Sequence, residues 1–442
     1  MSVRMRESRI REDRIRKERY ELRGGVHLAR LGSGARLFAW PHAETLGDLT
    51  EAELGLLRDL AKGPRPASGP LVERLRAGGW LKITVIDGDR PLYTLDPLRP
   101  PPPRPPVPDE PVLSRFAALR RDGETLVASS PLAWCDLRIH DPALVADVVS
   151  PGGAPLADLA WAGLAVPRGS EEAELRVRQW APHELEFHER SRVGYRGYLG
   201  DGFGGTFWAR GRFEPLPARP EPYPGEAIGL RVPDLEELRQ KDPTLTDVLE
   251  GRRSRREHDD ARPLTLDLLG ELLYRTSRVR ETWVADGVEY TSKPYPSGGS
   301  VYELEIYPVV RNVAGLEPGM YHYDAHEHVL RRVREAAHPA VRRLLTVAGH
   351  GAATGQRPQV LLSIASRAGR LLWKYEGMGY ALTLKHVGVL YQTLYCVATA
   401  MGLAACGLGS GDSVAFAEAT GRDPLEECAV GEFMIGTVEA PR

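Results

Sequence analysis

Cysteine is scarce in this sequence. There are four in 442 residues, Cys135, Cys396, Cys406 and Cys428, and none stands in a C-x-x-C pair, so neither zinc-ligand spacing nor a disulfide framework is expected. Four thiols without a secretory signal fit a reducing, cytoplasmic location. Apolar runs are short as well. None approaches the ~18 consecutive apolar residues of a membrane helix, and the first residues lack the apolar stretch of about 7–15 residues found in a signal peptide. The net charge is −2, from 58 basic and 60 acidic residues, which leaves no surplus for holding a polyanion. Walker A, G-x-G-x-x-G and a Ser-His-Asp order are all missing. His322, His326 and His328 gather around one turn without ligand spacing, so no metal is expected.

Charge is locally uneven. Arg4, Arg6, Arg9, Arg11, Arg14, Arg16, Lys17 and Arg19 make residues 1–24 a basic arm, read as a solvated or frayed N-terminal helix, with a nucleic-acid or acidic-partner arm as the competing reading. Proline is abundant at two places. Nine prolines between Pro97 and Pro111 exclude both helix and sheet pairing and predict a polyproline II spacer. A second run, Pro215, Pro217, Pro220, Pro222 and Pro224, marks another boundary.

Three segments follow. Residues 25–96 read as two short strands around Gly32-Ser33-Gly34, a helix behind the Thr50/Glu53 capping box, a helix ending at Gly78-Gly79, and a hairpin around Asp87-Gly88. Helices followed by a hairpin suggest a winged-helix-like unit. Residues 112–214 repeat the order, with a hairpin around Asp122-Gly123, a strand over Trp134–Ile139 and a helix over Pro142–Val149. The run Ala157–Leu164 is similar to Glu73–Trp80, which suggests a diverged duplication. Residues 235–442 alternate helices and strands. Leu384, Val387, Tyr391, Leu394, Ala398 and Met401 follow helical spacing, apolar over so much of the circumference that burial in a core or a subunit interface is expected.

Four places in the last segment could carry chemistry. Arg252-Arg253-Ser254-Arg255-Arg256 offers bidentate charged donors and a hydroxyl, as a phosphate requires; a solvated basic turn explains the run equally well. Pro296-Ser297-Gly298-Gly299 allows close backbone approach to a flat ligand, or is an ordinary loop. Lys374-Tyr375 could exchange protons, or be a surface lysine beside a half-buried tyrosine. Gly407-Leu408-Gly409-Ser410-Gly411-Asp412 reads as a glycine-rich loop after the long helix, offering amide donors or merely a connection.

In this order and spacing the four motifs resemble the nitroreductase superfamily. Phe187-His188-Glu189-Arg190-Ser191-Arg192, Glu305-Ile306-Tyr307 and Lys374-Tyr375-Glu376-Gly377 narrow the resemblance to its SagB/McbC-type azoline oxidases. The layout with two leading domains is similar to cyanobactin-type thiazoline oxidases. The sequence departs from the pattern at His258, where an aromatic is usual, and at Glu376, where glycine is common.

The resemblance implies an α+β architecture: an FMN-binding nitroreductase-like fold over 235–442, preceded by two winged-helix-like peptide-clamp domains. FMN would lie at a homodimer interface. Arg252, Ser254 and Arg256 would hold its phosphate; Pro296, Ser297, Gly298 and Gly299 would line the isoalloxazine; Leu408, Gly409 and Ser410 would cover its other side. Lys374 and Tyr375 would be the catalytic pair. The implied reaction removes two electrons and two protons from a thiazoline or oxazoline in a ribosomally made peptide, leaving the aromatic azole, with oxygen as acceptor. An azoline peptide is the implied substrate, and a cyclodehydratase is a candidate partner. Competing readings are a general NAD(P)H-dependent nitro or quinone reductase and a non-catalytic peptide-binding scaffold.

Overall fold

The computed structural model describes residues 17–39, 42–153, 155–195, 205–206 and 208–438. Arg4 to Arg16 of the basic arm lie outside the described residues. Where the arm is described it is a strand and not a helix: Lys17–Leu22 pairs antiparallel with Leu81–Ile86, and Tyr20 is buried in the core that this pairing closes.

The chain divides into two compact units, 1–199 and 200–442. In the first unit the capping box at Thr50, the helices Glu51–Leu60 and Pro70–Ala77, and the hairpin Leu81–Asp87/Arg90–Pro97 form as their sequence signals require. The hairpin Ala118–Asp122/Thr125–Ser129 and the strand Cys135–Ile139 also form. The segments flanking the proline run do not stand apart, however. Cys135–Ile139 pairs with residues 93–97, so strands from both build one six-stranded antiparallel sheet over a shared core. The proline run lies against that core instead of spanning a gap. Trp161 Nε1 donates to Pro102 O at 2.8 Å, and the Arg104 guanidinium sits 4.0 Å over the Trp161 ring. The similar runs end alike, with Trp80 N donating to Leu75 O and Leu164 N to Leu159 O, each at 2.9 Å.

The second unit is built on a seven-stranded sheet: Ala227–Gly229 (β1), Leu304–Val310 (β2), Gly319–Asp324 (β3), Val329–Glu335 (β4), Val360–Arg367 (β5), Leu403–Leu408 (β6) and Glu427–Thr437 (β7). Spatial order is β1-β4-β3-β2-β5-β7-β6, with every neighbouring pair antiparallel. Strand alternation sends side chains to two cores. Leu304, Ile306, Leu362, Ile364 and Ala405 join the helices Leu266–Ser277 (α1) and Gly379–Ala400 (α3) on one face. Tyr307, Val309, Leu361, Cys406 and Leu408 join Pro339–Gly351 (α2) and Ser413–Thr420 (α4) on the other.

Two boundaries differ from expectation. Residues 205–214, read as the end of a preceding domain, belong to the second unit: Thr206 N donates to Lys374 O at 3.1 Å, and Phe213 O accepts from Trp373 Nε1 at 3.1 Å. Gly407-Leu408, read as loop, lies within β6, which pairs with β7. The glycine there provides contact, since a Cβ on Gly407 would stand 2.8 Å from the Tyr391 ring.

Candidate active site

Lys374 and Tyr375 follow the short helix Ala368–Leu372 and precede α3. Three elements meet them. The first is the turn after Pro296. Gly299 adopts a φ of +61°, and its carbonyl accepts from Lys374 Nζ at 3.1 Å. A Cβ at Gly299 would lie 2.6 Å from the Tyr375 hydroxyl and 2.7 Å from Lys374 Nζ, so only glycine leaves room here. The second is the hairpin Glu281–Ala285/Val288–Ser292, which sets the Tyr290 ring 4.8 Å from Lys374 Nζ and stacks Trp283 on Tyr290. The third is the strap from residue 205, whose Gly205 bridges Tyr375 and whose Thr206 Oγ1 donates to Leu372 O at 2.8 Å. Burial, and then the neighbouring Tyr290, push the Tyr375 phenol above its ordinary value, so it stays protonated at neutral pH. Glu376 is half-buried beside the pair.

The turn has a support that sequence reasoning missed. Gly298 N–H donates to His386 Nε2 at 2.7 Å, and His386 Nδ1 lies 2.7 Å from Glu303 Oε1. Both side chains are buried. The sequence signal was faint: one histidine on the apolar face of α3, 83 residues from its carboxylate.

The basic run lies elsewhere, after the helix Leu245–Gly251. Arg252 stacks 5.3 Å from the Tyr395 ring centroid, and Ser254 Oγ lies 3.0 Å from Tyr395 Oη. Tyr395 Oη in turn accepts from Gly407 N at 2.7 Å. Arg255 and Arg256 line a cavity of about 660 Å³ with Gly351, Ala352, Ala353 and Thr354. Among the described residues no carboxylate pairs with Arg252, Arg255 or Arg256. Ser410 reaches the same rim, its Oγ 3.5 Å from where a Gly351 Cβ would be. Gly409 and Ser410 are exposed, whereas the Leu408 side chain is buried in the second core and its carbonyl accepts from Tyr391 Oη at 3.3 Å. The structure thus gathers Pro296–Gly299 with Lys374–Tyr375, and the arginine run with β6 and Ser410, in two clusters.

His258 closes the arginine run as a core residue. Its Nδ1 accepts from Gln359 N at 3.1 Å, and its ring packs so closely on Gly436 that a Cβ there would lie 2.5 Å away. Burial, then Arg311, lowers its pKa from 6.5 to about 4. The unfolded chain therefore binds the extra proton first. The neutral ring's contribution, about 3 kcal/mol, is complete above pH 6.5 and withdrawn as the pH falls towards 4. Glu432 acts in the opposite sense, because burial and Asp412 raise it to about 7; its contribution is lost as pH rises. Hence the His258 effect is read as a difference. His258→Asn, which keeps an acceptor for Gln359 N–H, is expected to lose less stability than the parent chain between about pH 7 and about pH 5 in denaturant unfolding. An identical pH dependence in both would remove His258 from the account.

The nitroreductase family model matches residues 249–437. A protein of Methanocaldococcus jannaschii described as a nitroreductase is 32% identical over 193 residues, covering 42% of this chain and 86% of its own length. Among solved structures, a nitroreductase from Anabaena variabilis matches at 21% identity and a TM-score of 0.39, over 57% of this chain and 45% of that one, so less than half of that protein is spanned. The E. coli microcin synthetase McbBCD complex with truncated pro-MccB17 bound matches at 19% identity and a TM-score of 0.36, over 58% of this chain and 91% of the matched one. Nitroreductase-family proteins are flavin-dependent oxidoreductases that bind FMN. Through residues 249–437 this chain belongs to the nitroreductase family.

Proposed function

We propose that the chain is an FMN-dependent dehydrogenase that aromatises thiazolines or oxazolines in a modified, ribosomally made peptide, with oxygen as final acceptor. The observation that carries this reading is the seating of Lys374 and Tyr375 on the Gly298–Gly299 turn. Turning an azoline into an azole requires a base at a ring carbon. Reduction of a nitro or quinone group by NAD(P)H takes up protons and needs no base at a ring carbon.

The residues fit the cofactor. Gly298 and Gly299 carry no side chain on the turn, as close approach of a flat ring to the backbone requires. Arg252, Arg256 and Ser254 supply the two guanidiniums and one hydroxyl suited to a phosphate dianion. Pro296, Ser297, Gly298 and Gly299 would line the ring, with Gly409, Ser410 and the Leu408 backbone on the other side. Bound FMN supplies the two-electron acceptor. The protein's part is proton transfer. In this reading Lys374 takes the ring proton and Tyr375, whose phenol is raised by burial and by Tyr290, orients the ring.

A second copy of the chain would complete the site. His386, at the turn, and Tyr395, at the arginine run, are nine residues apart on α3. At about 100° per residue they face opposite sides of the helix, so the two clusters of one chain point away from each other. The outer face of α3 presents Tyr380, Leu384, Gly388 and Gln392 at i, i+4 spacing. Tyr380 is 51% and Leu384 42% exposed, and nothing lies within 4 Å of where a Gly388 Cβ would be. Such a stripe suits a helix of a second subunit. The first unit would then hold the peptide, by strand addition to a sheet edge.

The purified chain is expected to be yellow, to release FMN on denaturation, and to remove two hydrogens per ring from an azoline peptide in air, read by mass spectrometry. A colourless protein that takes up no added FMN would refute the reading. A flavoprotein reduced rapidly by NADPH but indifferent to azoline peptide would establish the reductase instead.

A further inference from the structure

We infer that His386 and Glu303 are positioning residues that set the Lys374 amine through the backbone of the Gly298–Gly299 turn; the inference deepens the azoline-oxidase reading and rests on it for its catalytic consequence. The contacts form one chain. Gly298 N–H donates to His386 Nε2 at 2.7 Å, so Nε2 carries no proton and the ring hydrogen is on Nδ1. From there it points to Glu303 Oε1, 2.7 Å away. Glu303 is 0% and His386 5% exposed, so solvent does not compete for either bond. On the far side of the turn the Gly299 carbonyl accepts from Lys374 Nζ at 3.1 Å.

A carboxylate fixes the imidazole tautomer and the imidazole fixes a peptide N–H, as buried carboxylate–histidine pairs do elsewhere. The adjacent carbonyl, one residue on, holds the amine. Gly299 gives the turn a left-handed conformation that nothing intrinsic to the chain would restrict, so an external anchor is needed, and His386 is that anchor. Glu303 Oε2 has no hydrogen-bond partner among the described residues. A core that leaves a buried carboxylate oxygen unpaired spends stability at this place, which a purely structural contact would not require.

Two substitutions separate the roles. His386→Phe keeps the ring volume and removes the acceptor. His386→Gln restores an acceptor of similar reach. With the full chain as purified, His386→Phe is expected to lower kcat for azoline oxidation about tenfold with KM little changed, to keep its flavin while shifting the visible flavin band, and to raise severalfold the rate at which an amine-reactive reagent labels Lys374, measured by peptide mass spectrometry. His386→Gln should return all three readouts most of the way. Glu303→Leu should reproduce the His386→Phe pattern. Lys374 labelling and a flavin band unchanged in His386→Phe would overturn the inference, as would the same losses in the Gln and Phe variants. The labelling needs no azoline, so a parent chain inactive on azoline peptides would refute the proposed function and leave the coupling testable.

Discussion

Lys374→Ala is expected to lose about 10²–10⁴-fold in azoline turnover, the range contributed by a positioned general base, while retaining FMN. The flavin should stay because the Lys374 side chain meets the turn carbonyl and the Tyr290 and Tyr375 rings, whereas the proposed phosphate donors are on the other cluster. Tyr375→Phe should behave differently. Its phenol is raised by burial and by Tyr290 and is a poor base, so the variant should lose only an orienting contact to the substrate, about tenfold in turnover. The checks are single-turnover azole formation by mass spectrometry and flavin content by absorbance. Unaltered turnover in both variants would take the pair out of the mechanism, and a larger loss in Tyr375→Phe than in Lys374→Ala would exchange their roles.

What could be read in the sequence follows from the range of the forces involved. The Thr50/Glu53 box and the Asp122-Gly123 hairpin are settled within a few residues, and each forms as expected. Long-range pairings were not legible. Nothing around Thr206 announces a bond to a backbone 166 residues away, and the prolines nearby suggested a boundary instead. Gly407 misled for a related reason: a glycine that admits the Tyr391 ring into a strand has the same letter as one that makes a turn. Lys17–Leu22 reads as a charged arm until Leu81–Ile86 is known to lie beside it. At the candidate site, the motifs picked out residues that the fold gathers into two clusters, but their support comes from His386, Glu303 and Tyr290, which belong to no motif and whose partners lie far along the chain.

Arg370→Met is expected to destabilise the second unit by about 2–3 kcal/mol, because one buried and two part-buried carbonyls lose their shared donor group. The Arg370 guanidinium, 4% exposed, donates to Leu216 O at 2.6 Å and to Glu289 O and Val301 O at 2.8 Å each. Those carbonyls belong to the strap, to the hairpin carrying Tyr290, and to the segment just after the Gly298–Gly299 turn. All three elements that surround Lys374 and Tyr375 are therefore fastened to one planar cation. Burial and the nearby Arg367 lower its pKa to about 10, still far enough above neutrality that it remains charged. Arg370→Lys should recover only part of the loss, since an ammonium cannot span three carbonyls as a rigid fork does. Denaturant unfolding gives the energies, and trypsin reports the location: with the strap released, cleavage after Arg210 and Arg212 should accelerate in Arg370→Met before global unfolding. Equal unfolding midpoints and equal cleavage rates would mean that the strap is held by its other bonds, at Thr206 and Ala218, and that Arg370 is dispensable to the site.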